Sequence, residues 1–427
     1  MNYSETLKWI FNRLPTYQNI GLKSYKPGLK RIKKFCSYLG NPQNFFKSIH
    51  IGGTNGKGST IHMLSSILKE EKYKIGLFTS PHLIDFRERI TCNGFLIEKN
   101  FIIDFIKNHK NFIEKEQISF FEMNTALAFQ YFKEKKVYIS IIEVGMGGRL
   151  DSTNIIIPEL SIITNVSEDH TEILGKNKLR IAIEKAGIIK KNISVIIGTR
   201  MLKNLKNIFL KVAFKNNSPI YFSKIEKKYF NYKIPFKTYY QFLNKVLVLE
   251  IIKILKKRKN IKISNQSIKN GLKNVIKNTN THIHFKGRWH ILQKKPKIIC
   301  DIAHNEEGFL MIKNELKKET YESLHLILGF VKEKKIEKLL KKLPIEAYYY
   351  FTQPNIERKF FIEDLKKIIK KIFKNYKKIN FFHSVKNAFL SAKNKSKKKD
   401  LILISGSTFI VSDFLVTYNT NINKKGN

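Results

Sequence analysis

The chain has 427 residues, 42% of them hydrophobic, three cysteines and a formal net charge of +46. That length exceeds one typical hydrophobic core and implies two domains, and the composition excludes collagen-like, disulfide-scaffold and intrinsically disordered classes. The charge would ordinarily point to nucleic acid, but lysine outnumbers arginine about seven to one and is spread along the whole chain among Ile and Asn.

Compositional bias on solvated faces is the reading that follows, with no specific nucleic-acid partner expected. Cys36, Cys92 and Cys300 share no CxxC spacing, which argues against a zinc site and for a reducing, cytoplasmic setting. No run of about 18 apolar residues is present, so no membrane-spanning helix is expected. Met1 to Trp9 lacks the basic-then-apolar pattern of a signal peptide.

In chain order, the first strand-like run, Phe46 to Ile51, leads into Gly52-Gly53-Thr54-Asn55-Gly56-Lys57-Gly58-Ser59-Thr60 and then a helical pattern through Glu70. Strand, glycine-rich turn and helix are what triphosphate binding requires. Glycines let backbone N–H groups converge on phosphate oxygens, and the helix start adds partial positive charge. Lys57 can set an ammonium against the β and γ oxygens. The general pattern G-x-x-x-x-G-K-[ST] is not met, because the loop is shorter and Gly58 intervenes before Ser59. Gly53, Thr54, Asn55, Gly56, Lys57, Gly58 and Ser59 are the predicted nucleotide-binding residues.

Further apolar runs follow at Lys74 to Thr79, Val137 to Glu143, Leu160 to Val166 and Val195 to Gly198. Met201 to Thr281 is rich in Lys and Asn and ends in Thr281-His282-Ile283-His284-Phe285-Lys286-Gly287-Arg288-Trp289, where a new strand series begins. The domain junction is placed there, giving domains 1–284 and 285–427. Runs resume at Lys297 to Ile302, Leu324 to Gly329, Tyr348 to Phe351 and Leu401 to Ser405. Alternation of β-rich runs with helical stretches predicts α/β domains with largely parallel sheets, whose ligands gather at the carboxyl ends of the strands. Lys393 to Lys399 reads as a solvated basic loop and Asn419 to Asn427 as a frayed tail.

The departures of the phosphate loop are themselves informative. G-T-N-G-K-G-S resembles the phosphate loop of the folylpolyglutamate synthase/dihydrofolate synthase family, relatives of the Mur peptidoglycan ligases. The resemblance continues through Thr79-Ser80-Pro81-His82-Leu83, Arg87-Glu88-Arg89-Ile90, Phe120-Phe121-Glu122 and the block Glu143-Val144-Gly145-Met146-Gly147-Gly148-Arg149-Leu150-Asp151-Ser152-Thr153-Asn154. It runs on through Asp169-His170, Glu184-Lys185-Ala186-Gly187, Tyr240-Gln241 with Asn244, Arg288, Asp301 with His304-Asn305, and Gly406-Ser407. It spans about residues 15 to 415, and the order and spacing of the motifs carry it. Thr238-Tyr239 stands where the family has a glycine before Y-Q-x-x-N.

The resemblance implies a P-loop ATPase-like N-terminal domain and a smaller Rossmann-like C-terminal domain. It also implies an enzyme that uses ATP and two Mg2+ ions to join L-glutamate to dihydropteroate, to a reduced folate, or to both; a monomer is expected, because a two-domain active site needs no second subunit. The carboxylate attacks the γ-phosphoryl group, and the glutamate amine displaces phosphate from the resulting acyl phosphate. It assigns metal binding to Ser80, Glu143, His170 and Lys185, the last as a carbamylated lysine. Nucleotide contacts fall to Asn244, Arg288 and Asp301, and substrate contacts to His82, His304 and Ser407. Lys57, Lys185 and His304 are expected to be catalytic. By residue type alone, Glu143 at a strand end suits a hard cation, whereas Ser80 reads more readily as a turn or capping serine and Ser407 equally as an ordinary polar group at a strand end. Two rivals stand beside this reading: a Mur-type ligase acting on a UDP-linked precursor, and a basic nucleic-acid-binding P-loop ATPase.

Overall fold

Runs such as Ile139-Ser140-Ile141-Ile142 are apolar on both faces, a pattern that belongs in a parallel sheet covered by helices on each side. A computed structural model of the chain places them so. It describes residues 1–16, 21–199, 201–257, 261–279, 286–332, 334–373 and 378–423. The chain divides into two units, Met1–His284 and Phe285–Asn427. The motif residues 280–285 at the expected junction lie outside the described residues.

The first unit is built on an eight-stranded sheet in the order β4-β3-β2-β5-β1-β6-β7-β8. Its strands are β1 (Lys47–Gly52), β2 (Ile75–Phe78), β3 (Ile90–Cys92), β4 (Phe95–Leu96), β5 (Ile139–Glu143), β6 (Leu160–Ile163), β7 (Val195–Ile197) and β8 (Ile220–Phe222). β2, β5, β1, β6, β7 and β8 run parallel, while β3 and β4 add an antiparallel ribbon. One helical layer, including Lys99–Lys115 and Phe120–Glu134, closes an aromatic-rich core that reaches Phe78 and Ile142. Beside β6 and β7, helices Lys178–Ala186 and Lys203–Lys215 bury Ile181, Leu205 and Phe209. The Lys-rich stretch after Met201 is mainly helical. Its helix Tyr239–Leu255 carries an almost continuous apolar surface and packs on helix Lys57–Glu70.

The second unit carries a six-stranded sheet in the order β13-β12-β11-β14-β10-β9. The strands are β9 (His290–Lys294), β10 (Lys297–Cys300), β11 (Leu324–Leu328), β12 (Tyr348–Phe351), β13 (Ile379–Phe381) and β14 (Leu401–Ser405). All neighbours are parallel except β9 against β10. Leu324, Leu326, Leu328, Leu401 and Leu403 alternate onto one face, where helices Glu306–Leu316, Ile336–Leu340 and Ile362–Ile372 cover them. Helices Val385–Lys395 and Thr408–Asn423 pack on the strands from the other side. The sheet is thus doubly wound, as the alternating pattern predicts.

Two expectations fail at their edges. Lys393–Lys395 is the last turn of a helix and not loop, because Ala388, Phe389 and Ala392 give that segment a buried face. The terminal helix runs on to Asn423, so Asn419 to Asn423 is helical and not frayed; residues 424–427 lie outside the described residues. Among the described residues no helix is long and apolar enough to cross a membrane.

Candidate active site

β1 delivers the chain into the phosphate loop, and Gly53 makes the turn at φ +138°. A Cβ there would stand 1.8 Å from Thr164 Oγ1, so no side chain fits. Gly53→Ala is therefore expected to lose ATP binding by calorimetry and to lower the melting temperature; an unchanged ATP affinity would show that the loop geometry is not what binds phosphate. Gly56, at φ +83°, opens helix Lys57–Glu70, and the Thr60 hydroxyl donates back to its carbonyl at 2.9 Å.

The loop is stapled to the segment after β6. Thr54 N–H donates to the Asn165 carbonyl at 3.1 Å, Asn55 N–H to Asn165 Oδ1 at 2.9 Å, and the Thr164 hydroxyl to the Asn55 carbonyl at 2.7 Å. The strand expected over Leu160 to Val166 accordingly ends at Ile163, since Thr164 and Asn165 are occupied with the loop. Sequence reading missed these two residues; their only signal was a pair of polar side chains closing an apolar run. From the far end of the unit, Gln241 Nε2–H donates to Ser59 Oγ at 3.1 Å and Asn244 Nδ2–H donates to Gln241 Oε1 at 3.0 Å. Asn244 Oδ1 lies 2.5 Å from the point a Gly56 Cβ would occupy, so helix Tyr239–Leu255 docks directly on the phosphate loop.

Charged groups converge on this loop. Lys57 Nζ donates to the carbonyls of Gly53 and Thr54 at 3.2 and 3.1 Å and stands 3.9 Å from Glu143 Oε1. Glu143, the last residue of β5, accepts Ser80 N–H on its other oxygen at 3.0 Å. Lys185, near the end of helix Lys178–Ala186, is buried and donates to the same Gly53 carbonyl at 2.9 Å. Burial, and next the Lys57 ammonium, push its pKa down to about 7, with Asp169 and Asp151 opposing. His170, at φ +49°, follows Asp169 and stands 3.9 Å from its carboxylate. Lys57 and Lys185 thus meet at the Gly53 carbonyl, and Glu143, holding the Ser80 N–H, stands beside Lys57 at the carboxyl end of the parallel strands. Asp169, beside His170, reaches the same neighbourhood through its field at Lys185.

His82 is held by an arginine that sequence reading did not single out. Arg89 Nε–H donates to His82 Nδ1 at 2.8 Å, which leaves the ring proton on Nε2. Burial, with Arg89 adding to it, pushes the His82 pKa down to about 3, so the ring is neutral and presents a donor. Arg89 is itself buried against the Phe120 ring.

In the second unit the predicted residues sit at the carboxyl ends of β10 and β14. Asp301 accepts Trp289 N–H on Oδ2 at 2.8 Å and Ala303 N–H on Oδ1 at 2.9 Å, so its carboxylate organises the turn that carries Arg288. His304 Nδ1–H donates to the Ile302 carbonyl at 2.9 Å, which makes Nε2 the acceptor of the neutral ring. Ser407 Oγ accepts Ile410 N–H at 3.2 Å and so caps the terminal helix.

The donor set fits magnesium in part. Glu143 and Ser80 offer oxygens beside a phosphate loop, the arrangement in which Mg2+ takes one or two protein ligands and fills its remaining positions with phosphate and water. Among the described residues no group of three or more His, Cys, Asp or Glu side chains gathers into a protein cage. An unmodified Lys185 ammonium would repel a cation here, so Lys185 fits only if its charge is reversed.

Known proteins carry the same two domains in this order along the chain. Residues 51–266 match the Mur ligase middle domain and residues 287–408 the Mur ligase glutamate ligase domain. A dihydrofolate synthase/folylpolyglutamate synthase of Bacillus subtilis is 30% identical over 96% of this chain and 98% of its own. The crystal structure of a folylpolyglutamate synthase from Thermotoga maritima superposes with a TM-score of 0.76 at 30% identity, covering 97% of each chain. A bifunctional folylpolyglutamate synthase/dihydrofolate synthase from Yersinia pestis, complexed with AMPPNP and a Mn ion, shares the fold at 22% identity, with a TM-score of 0.82 and 98% of both chains covered. On the strength of the matched domains and of 30% identity over nearly its whole length, the chain belongs to the folylpolyglutamate synthase/dihydrofolate synthase family of Mur ligases.

Proposed function

We propose that this chain is an ATP-dependent ligase that adds L-glutamate to dihydropteroate and to the γ-carboxyl of reduced folate glutamates. The observation that carries the reading is that Lys57 and Lys185 both donate to the Gly53 carbonyl of the phosphate loop, with Glu143 beside Lys57 and the Ser80 N–H on Glu143. Residues 1–284 act as the ATP-binding domain and 285–427 as the glutamate-ligase domain of a cytoplasmic monomer. The backbone N–H groups of Gly53 to Ser59 and the Lys57 ammonium hold the triphosphate. Asn244, Arg288 and Asp301 complete the nucleotide contacts.

The substrate carboxylate attacks the γ-phosphorus, forming a C–O–P bond as the bond to ADP breaks. The glutamate amine then attacks the acyl carbon, loses a proton, and phosphate departs. Lys57 neutralises charge between two anions that would otherwise repel by several kcal/mol at close range. His304 accepts the amine proton on Nε2, a role supported by its Nδ1–H bond to Ile302, Ser407 takes part in binding the amino acid, and His82 offers its Nε2–H to the folate-type substrate. Two magnesium ions, when bound at Ser80, Glu143, His170 and carbamylated Lys185, spread the phosphate charge.

Labelled glutamate incorporation tests this, with dihydropteroate and reduced folate offered separately. Incorporation into both establishes a bifunctional ligase, and incorporation into reduced folate alone restricts it to polyglutamylation. Intact ATP hydrolysis without either product would sink the substrate assignment.

A further inference from the structure

β1 carries a histidine, His50, two residues before Gly52, and buries it completely between Ile49 and Ile51. A buried imidazole in the middle of a sheet needs a partner for each polar atom it keeps. Nε2 has one, Thr153 Oγ1 at 2.8 Å. Among the described residues Nδ1 has none. Burial, and next the Lys190 charge, push the ring's pKa down to about 3, so it is neutral and carries a single proton.

The position of that proton follows from Thr153. Its hydroxyl has one proton to give, and Asp151 Oδ1 takes it. The hydroxyl oxygen therefore accepts from His50, which puts the ring proton on Nε2 and leaves Nδ1 a bare acceptor. The opposite tautomer would draw the hydroxyl proton away from a buried carboxylate and leave Nδ1–H an orphaned donor, the costlier of the two.

Asp151 is buried too, and a carboxylate has about four sites for donors. Four donors fill them: Thr153 N–H at 3.0 Å and Thr153 Oγ–H on Oδ1, Met146 N–H at 2.8 Å on Oδ2, and the Gly145 N–H. Burial raises the Asp151 pKa, and these donors are what oppose it. Three of them are backbone amides, fixed by the chain. The hydroxyl alone can swing away, and His50 is the group that stops it. Gly145 and Met146 form the turn directly after Glu143, the last residue of β5, and β5 is the neighbour of β1. One chain of hydrogen bonds thus runs from the strand that carries the phosphate loop to the turn behind Glu143.

We propose that His50 is a positioning residue for the ligation: it locks the Thr153 hydroxyl on Asp151, and Asp151 so fixed holds the turn behind Glu143 in place relative to the phosphate loop. This rests on the ligase reading above.

The test compares wild type with His50→Leu, His50→Gln, Thr153→Val and the double variant His50→Leu/Thr153→Val. Two things are measured: ligation kinetics, and hydrogen exchange at the Gly145 and Met146 amides. His50→Leu and Thr153→Val are each expected to lower kcat about tenfold with KM for glutamate unchanged, and to speed exchange at those two amides. His50→Gln keeps an N–H facing Thr153 and should recover most of both. The double variant should be no slower than the worse single one, because both break the same chain. Wild-type kcat and exchange in His50→Leu and Thr153→Val would overturn the assignment. So would an equal loss in His50→Gln, losses that multiply in the double variant, or faster exchange throughout β1 and β5, which would mark a packing role alone. If His50→Leu does not fold, Thr153→Val decides, since it removes the hydroxyl with little change of shape. Wild type that hydrolyses ATP yet ligates no glutamate would instead sink the ligase reading, while hydrogen exchange would still report on the clamp.

Discussion

Lys57→Ala is expected to abolish glutamate ligation while leaving the fold intact, with kcat/KM falling roughly a thousandfold. The Lys57 side chain is part-buried at the start of its helix. Its bonds run to the Gly53 and Thr54 carbonyls, and Glu143 stands 3.9 Å away. Under the proposed function, phosphate oxyanions take over the ammonium that two carbonyls and a carboxylate hold in this structure. Removing it leaves Glu143 and the triphosphate facing each other as like charges. Thermal melting close to wild type, with ligation lost and ATP affinity weakened, is the expected outcome. Ligation above a tenth of wild type would show that Lys57 does not carry the phosphate charge.

Lys185→Ala is expected to lose ligation comparably, with partial rescue by acetate or another short carboxylate. Lys185 is buried between Gly53 and the Asp169 side of the site, and burial together with Lys57 lowers its pKa to about 7. Much of the side chain is then neutral amine near physiological pH, the form that reacts with carbon dioxide to give a carbamate. Wild type fed labelled bicarbonate should show a carbamate signal that Lys185→Ala lacks. Absence of that signal in active wild type would overturn the modification.

The unmodified protein also carries a pH signature. The folded state resists protonating Lys185, so the unfolded chain binds that proton more tightly between about 7 and the ordinary 10.5. Below about 7 the penalty is fully present, and stability rises with pH across that window. Chemical denaturation of wild type freed of carbon dioxide should show the rise, and Lys185→Met should flatten it.

The sequence by itself determined the strand runs and the phosphate loop, because both are local. An Ile-rich run buried on both faces can only be a covered strand. A strand, glycines at the turn and a helix start build an anion site from consecutive residues. β12 and β14 match their apolar runs residue for residue, and helix Lys57–Glu70 ends where its pattern does. The antiparallel ribbon β3–β4, the edge strand β8 and β9 were not legible, since pieces of two to five residues owe their existence to a neighbour. Lys393–Lys395 was misread for a related reason: its charges are visible in sequence, but the buried face of Ala388 and Ala392 beneath it is set by packing.

The site divides the same way. Lys57 in the phosphate loop and Glu143 at a strand end announce themselves, and the resemblance adds Ser80, yet only the tertiary structure decided that Lys57 and Lys185 share one carbonyl, because they come from different helices. It alone docked Gln241 on Ser59 and Arg89 on His82, and turned Thr164 and Asn165 from strand into staple. Charge and residue type are properties of the chain. Burial, which shifts a pKa and fixes a tautomer, belongs to the surroundings that only folding supplies.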